Sequence, residues 1–215
     1  MRKQKRQSDM PDADECVNVY NIELKMILPV YLLGQPVLRE EAEDITPDYP
    51  DLKKLIADMW ETMYNSDGVG LAAPQIGRAI AVIVIDGTPV ADAFPECRDF
   101  KLVLINPELE VIEDADPVSR AEGCLSLPGI SENVKRHEHV LLKWLDEDFK
   151  PHEQEFTGYA SRIIQHEYDH LLGEVFTDHI SPIRKQMIRT KLNNIAHGRV
   201  SCGYRTSAAP RHKGK

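Results

Sequence analysis

Apolar residues along this chain change their period several times, and each change marks an element. Leu52, Leu55, Ile56, Met59 and Met63 fall at i, i+3, i+4, i+7 and i+11, the stripe of an amphipathic helix lying on a core. Pro50 suits its first turn, and Asn65-Ser66-Asp67-Gly68 stops it. The next stretch, Gly68-Val69-Gly70-Leu71-Ala72-Ala73-Pro74-Gln75-Ile76-Gly77, is too rich in Gly and Pro for a regular helix or a central strand. Segments 80–86, 102–106 and 109–113 are rich in Val, Ile and Leu and bounded by Asp86-Gly87, Asn106-Pro107 and Asp116-Pro117, so they read as strands joined by short turns. Residues 91–99 read as a loop, with Cys97 incidental to it. Residues 139–157 read as a hairpin turning at Glu147-Asp148, and a helix follows from about 158 to 172, stopped by Gly173. His137, His139 and His152 in that hairpin read as exposed sheet histidines. Met187, Ile188, Leu192 and Ile195 recur at helical spacing among Arg184, Lys185, Arg189 and Lys191, which predicts a basic C-terminal helix over 181–200.

Composition bounds the rest. At 215 residues, with 42% hydrophobic and 28% charged positions, the chain suits one globular domain with tails. No apolar run approaches the ~18 residues of a membrane span, so no membrane partner is expected. The net charge of −9 is uneven: from Ser181 on there are nine basic and no acidic residues, leaving the first 180 at −18. An acidic body with a basic end suggests an acidic partner for that end, against a merely solvated tail. Cys16, Cys97, Cys124 and Cys202 are scattered and form no CxxC pair, which favours a reducing, cytoplasmic setting over a disulfide framework. Residues 1–25 place a basic cluster before Asp9, Asp12, Asp14 and Glu15 with no apolar segment between. They read as a disordered or non-native extension rather than a signal or transit peptide. From 201 to 215 disorder is expected.

Chemistry enters at Gln165-His166-Glu167-Tyr168-Asp169-His170. On a helix, His166 and His170 project from one face one turn apart, a spacing that can bind one divalent cation, with Glu167 placed to act on a water. Two imidazoles are an incomplete set. His179 lies nine residues past His170 and Glu174 only four, with Gly173 between, so neither repeats the usual downstream spacing of zinc peptidases. A lone Cys is usually a small buried hydrophobe. Cys124, in Glu122-Gly123-Cys124-Leu125-Ser126-Leu127-Pro128-Gly129, nevertheless sits at a strand end before a Pro-Gly turn and is the best remaining ligand candidate.

Three stretches in this order, GVGLAAPQ at 68–75, EGCLS at 122–126 and QHEYDH at 165–170, resemble the three signature motifs of the peptide deformylases, with similarity from about Met26 to His197. The resemblance implies an α+β fold: antiparallel β-sheets wrapped around a central metal-binding helix, with an N-terminal and a C-terminal helix. The catalytic domain would span 26–180. It implies that Cys124, His166 and His170 bind one metal, Fe²⁺ first and Zn²⁺ or Ni²⁺ as replacements, with water in the fourth position. Glu167 would be general base and then acid, while the Gln75 amide and the Leu125 N–H would form the oxyanion hole. Val69, Gly70 and Gly123 would pair with the peptide backbone. The substrate would be the N-formyl group of the initiator methionine on nascent polypeptides, released as formate, and the basic C-terminal helix would contact the ribosome. Gln165, Glu122 and Asp169 would orient the ligands, and Leu127, Ile130 and Ile163 would line a methionine pocket. Some relatives carry an Arg just past the Pro, where this chain has Gly129-Ile130-Ser131-Glu132. Two other readings stay open on the residues alone: a zinc endopeptidase of HExxH type, and a binding module with a structural metal.

Overall fold

The computed structural model describes residues 25–209, so the reading of the extension lies outside the described residues up to 24. In chain order the strands and helices are β1 (Val30–Tyr31), α1 (Leu52–Asn65), β2 (Gly70–Ala72), β3 (Val82–Asp86), β4 (Lys101–Val111), β5 (Val118–Gly123), β6 (Ser131–Arg136), β7 (His139–Leu145), β8 (Pro151–Thr157), α2 (Gly158–Leu171), α3 (Pro182–Met187), α4 (Arg189–Ala196) and β9 (Thr206–Ser207). The fold is α+β. Strands β2-β3-β4-β7-β8 form an antiparallel sheet in that order, β5 and β6 an antiparallel pair, and β1 and β9 a parallel pair.

Strand β3 is buried on both faces of the five-stranded sheet, whereas β8 at its far edge is largely exposed, and the period-two alternation of β3 shows what covers each face. Ile83 and Ile85 pack with Ile163 and Ile164 of α2, whereas Val82 and Val84 pack with Ile56, Met59 and Met63 of α1. Two polar side chains buried on α1, Asp58 and Thr62, accept the backbone N–H groups of Met26 and Leu28. On the side of α2 away from the large sheet lies the β5–β6 pair, joined to it by Arg162, which donates to the carbonyls of Val118 and Val134. The helix that carries the two histidines is therefore enclosed between sheets.

Several expectations change in detail. The two strands expected at 102–106 and 109–113 are one strand, because the Asn106-Pro107 break is a bulge. Asn106 adopts φ +47°, and its side-chain amide exchanges two hydrogen bonds with the backbone of Ile45, replacing the interrupted ladder. The Gly-rich stretch, which reads as neither regular helix nor central strand, supplies an edge strand of the large sheet at Gly70–Ala72, followed by a 3₁₀ turn over Ala73–Ile76. Strand β6, which the sequence reading did not pick out, alternates exposed and buried residues with charged Glu132 and Arg136 on its buried face. Gly173, at φ +72°, ends α2 as expected, and a Cβ there would lie 2.8 Å from the Arg39 carbonyl carbon.

The C-terminal region departs most. The single helix expected over 181–200 is two short helices that bend at Ile188, and Ile188, Leu192 and Ile195 pack with Leu32, Leu127, Val175 and Phe176. Met187, expected on that stripe, is exposed. The disorder expected from Ser201 is replaced, over 201–209, by an ordered crossing that pairs β9 with β1. The pairing gives those residues backbone partners: Val30 N–H donates to Arg205 O at 2.9 Å and Leu32 N–H to Ser207 O at 2.8 Å. Residues 210–215 lie outside the described residues. No helix among the described residues is long and apolar enough to cross a membrane.

Candidate active site

Three elements bring the site together. Helix α2 presents His166 and His170 one turn apart, their ring centroids 5.5 Å from each other and the rings nearly perpendicular. The turn after β5 brings Cys124, whose Sγ lies 3.3 Å from His170 Nε2. The edge strand β2 and the 3₁₀ turn after it bring Gln75, with Nε2 3.4 Å from that sulfur and 3.4 Å from Ser126 Oγ. The Gln75 orientation is fixed, because its Oε1 accepts the Ala72 N–H at 2.8 Å and leaves the NH₂ end aimed at the site.

One sulfur and two imidazole nitrogens, from Cys124, His166 and His170, lie within 4.8 Å of one another. His166 Nδ1 is 2.9 Å from Glu122 Oε2, which fixes the ring and frees Nε2 as the ligating atom. Burial opposes ionisation of Cys124, but His170 and His166 beside the sulfur hold its pKa down to about 5. His166 is shifted up by the same thiol and by Glu122 against the effect of its burial. Glu167 is the opposite case: burial raises its carboxyl to about 7. Its Oε2 is buried with no hydrogen-bond partner among the described residues, and a Cβ on Gly70 would fall 2.4 Å from Oε1, so only glycine leaves room for this carboxylate. A borderline-soft S, N, N set with an inward-facing carboxylate fits a divalent cation such as Fe²⁺ or Zn²⁺, and three protein donors are the number that leaves a position for substrate.

A buried ion network supports these groups. Glu122 accepts from Arg136 Nε at 2.7 Å and Nη2 at 2.9 Å, and from Arg162 Nη1 at 2.8 Å. Burial opposes ionisation of Glu122, yet His166 and Arg136 keep its pKa far below the usual carboxylate range. Arg136 Nη2 also reaches Asp169 Oδ2 at 2.8 Å, and Asp169 bonds His179. Gln165 donates to the carbonyls of His137 and Ser161 rather than to a ligand.

A cleft of about 440 Å³ opens over this point. Val69, Gly70, Gly123 and Leu125 line it, as do the pocket candidates Leu127, Ile130 and Ile163. Every residue singled out for catalysis, substrate or metal thus falls in or beside one cleft. His137, His139 and His152 do not: they lie on the large sheet and its flank, bonded to Ala115 O, Asp114, Glu155 and Asp146. The sequence reading missed Arg136 and Arg162, whose signal was only a charge on the inward face of an alternating or helical segment. It also missed Tyr159 and the C-terminal residues Ser201, Cys202 and Tyr204 in the cleft wall, for which a polar, glycine-containing tail carries no signal.

Comparison with known proteins agrees with this geometry. A family model described as polypeptide deformylase matches residues 27–186. The peptide deformylase of Flavobacterium johnsoniae is 46% identical over 197 residues, covering 88% of this chain and all of that protein. That of Christiangramia forsetii is 42% identical, covering 84% of this chain and 95% of the relative. Among solved structures, Thermotoga maritima peptide deformylase superposes with a TM-score of 0.65 at 38% identity, covering 73% of this chain and 99% of that one. Arabidopsis thaliana peptide deformylase 1B in complex with an inhibitor gives 0.70 at 31% identity, covering 80% and 92%. This chain belongs to the peptide deformylase family.

Proposed function

We propose that the cleft removes the N-formyl group from the initiator methionine of nascent polypeptides and releases formate. The observation that carries this reading is convergence: the Cys124–His166–His170 donors, the partnerless Glu167 Oε2 and the Gln75 NH₂ surround one point in one cleft. A bound divalent cation supplies Lewis acidity there, polarising a carbonyl and lowering the pKa of water toward about 7. Cys124, His166 and His170 would hold it, and Fe²⁺ is the metal we propose, with Zn²⁺ or Ni²⁺ able to replace it.

The chain's own groups do the rest. Glu167, raised to about 7, takes a proton from the attacking water and delivers it to the departing amine. Gln75 Nε2 and the Leu125 N–H donate to the oxygen that gains charge as the formyl carbon becomes tetrahedral. The edge backbone of Val69 and Gly70 on one wall and Gly123 on the other hold the peptide as an added strand. Leu127, Ile130 and Ile163 take the methionine side chain.

The test is formate release from a formyl-Met tripeptide by freshly prepared, Fe²⁺- or Ni²⁺-loaded protein, beside the unformylated peptide and a protein substrate. Turnover of the formyl peptide alone is the expected result, and none at all would sink the reading. Cleavage of internal bonds would restore the endopeptidase alternative, which the family assignment does not favour.

The ribosome contact rests on Arg189, Lys191 and Arg199, which stay exposed, while Arg184 and Lys185 are engaged by Glu132 and Asp178. Co-sedimentation with ribosomes that weakens as salt rises is the expected behaviour. The cytoplasm, where nascent chains emerge, is the corresponding location.

A further inference from the structure

The turn that carries both a metal ligand and an oxyanion donor has three successive carbonyls, and each is held from a different place. Cys124 O accepts the Leu127 N–H at 3.0 Å, closing the turn on itself. Ser126 O accepts the Leu33 N–H at 2.9 Å, from the segment just after β1. Leu125 O accepts the Tyr204 hydroxyl at 2.7 Å, from the segment just before β9. The two outside anchors are themselves joined, since β1 and β9 pair and Gln35 Nε2 donates to Ser207 Oγ at 3.1 Å. Tyr204 also lines the cleft beside Cys124 and Leu125, with Ser201 and Cys202 of the same segment.

We propose that Tyr204 is a positioning residue for deformylation, whose hydroxyl holds the Leu125 backbone so that its N–H faces the developing oxyanion. The inference rests on the deformylase reading above. Without the hydroxyl, the Leu125–Ser126 peptide plane loses the one anchor that its carbonyl has outside the turn among the described residues, and the adjoining Cys124–Leu125 plane, which carries the Leu125 N–H, is freer to turn about the Leu125 Cα. An oxyanion donor acts only while it is preorganised, so such rotation costs rate rather than substrate affinity. The phenol ring is a second contribution: it forms part of the wall against which the peptide lies.

The experiment compares full-length, metal-loaded wild type with Tyr204→Phe and Tyr204→Ala, using a formyl-Met tripeptide. Metal content and thermal midpoint are measured on each preparation. Tyr204→Phe should lower kcat about three- to tenfold, the scale of one hydrogen bond, with KM within about twofold and with metal content and midpoint unchanged. Tyr204→Ala should lower kcat at least as far and also raise KM. A Tyr204→Phe enzyme with unchanged kcat overturns the proposal, as does a loss of kcat that only follows lost metal or lost fold. An inactive wild type would overturn the deformylase reading, and this inference with it. An active wild type beside an unaffected Tyr204→Phe overturns this inference alone.

Discussion

Glu167 and Gln75 sit in environments that suit the roles proposed for them. The Glu167 carboxylate is buried under Gly70, so burial lifts it to about 7, the range in which a group can both accept and return a proton near neutral pH. Glu167→Gln keeps the volume and removes the titration. Formate release should fall about 10²–10⁴-fold while metal content stays at one ion per chain, and lost metal would mean the carboxylate acts as a ligand instead. The role proposed for Gln75 is directional instead: its carbonyl end is tied to Ala72 N–H, so its amide end has one orientation. Gln75→Ala should lower kcat about 10²–10³-fold, the range for removing one oxyanion donor, with KM nearly unchanged. A change confined to KM would place the amide on the ground-state peptide.

At the scale of elements, helix α2 is held to the β5–β6 pair by charge as much as by apolar packing. Arg136 of β6 bridges Glu122 of β5 and Asp169 of α2, and all three are mostly buried. Arg136→Met would leave two carboxylates without this partner, although Arg162 still reaches Glu122. Breaking a buried pair typically costs about 3–5 kcal/mol, and loosening Glu122, which orients the proposed ligand His166, should lower metal affinity by up to the about 10–100-fold of losing such a group. Thermal denaturation and metal titration of Arg136→Met should show both effects, and a normal metal affinity would reduce the network to a purely structural role. The junction of α3 with the body is more exposed. Burial opposes ionisation of Asp178, but Arg39, Lys185 and the Val175 N–H outweigh it and hold the carboxyl down to about 2, against 3.8 ordinarily. A carboxyl depressed in the folded state stabilises above the unfolded pKa and loses that contribution as pH falls toward the folded one. With the basic partners nearly half exposed, about 1 kcal/mol is reasonable after screening. Asp178→Asn should therefore melt about 2–4 °C lower at pH 7, with the gap narrowing below pH ~4. A gap constant from pH 7 to 3 would show that the charge is not the cause.

For the whole molecule, the cleft walls come from widely separated parts of the chain, and a cation at Cys124, His166 and His170 would tie a β5 turn to α2. Because the unfolded chain holds no preformed site, metal bound to the folded state stabilises it, by about 2.7 kcal/mol when free metal is at 100 times Kd. Chelator treatment should lower the thermal midpoint and abolish turnover together, and re-addition of Fe²⁺ or Ni²⁺ should restore both. An unchanged midpoint on complete metal removal would mean that the cation does not favour the folded chain over the unfolded one, and would count against a site at these three donors.

Much of the local structure, the family and the candidate site residues could be read from the chain alone. Helix α1 was legible because it buries one face, which imposes a period on its residues. The β7–β8 hairpin was legible from its apolar run and polar turn, and α2, buried nearly all round, from the four-residue spacing of its histidines and the Gly173 stop. The candidate metal donors and their neighbours were legible because they sit in short motifs whose spacing within α2 and after β5 is fixed by backbone geometry. Tertiary structure alone decided what lies across a distance in sequence. Arg136 and Glu132 sit on the inward face of β6, where charge hides the strand pattern, and only their partners on β5, α2 and α3 explain them. Asn106 read as a boundary, but Ile45, 61 residues away, lets it continue a strand. Residues 201–207 have no periodicity because two-residue strand pairing and one tyrosine hydroxyl hold them, and neither leaves a repeating mark. Contacts between distant segments depend on which surfaces the fold brings together, and that part of the site, the Tyr204 wall included, exists only once the chain has closed on itself.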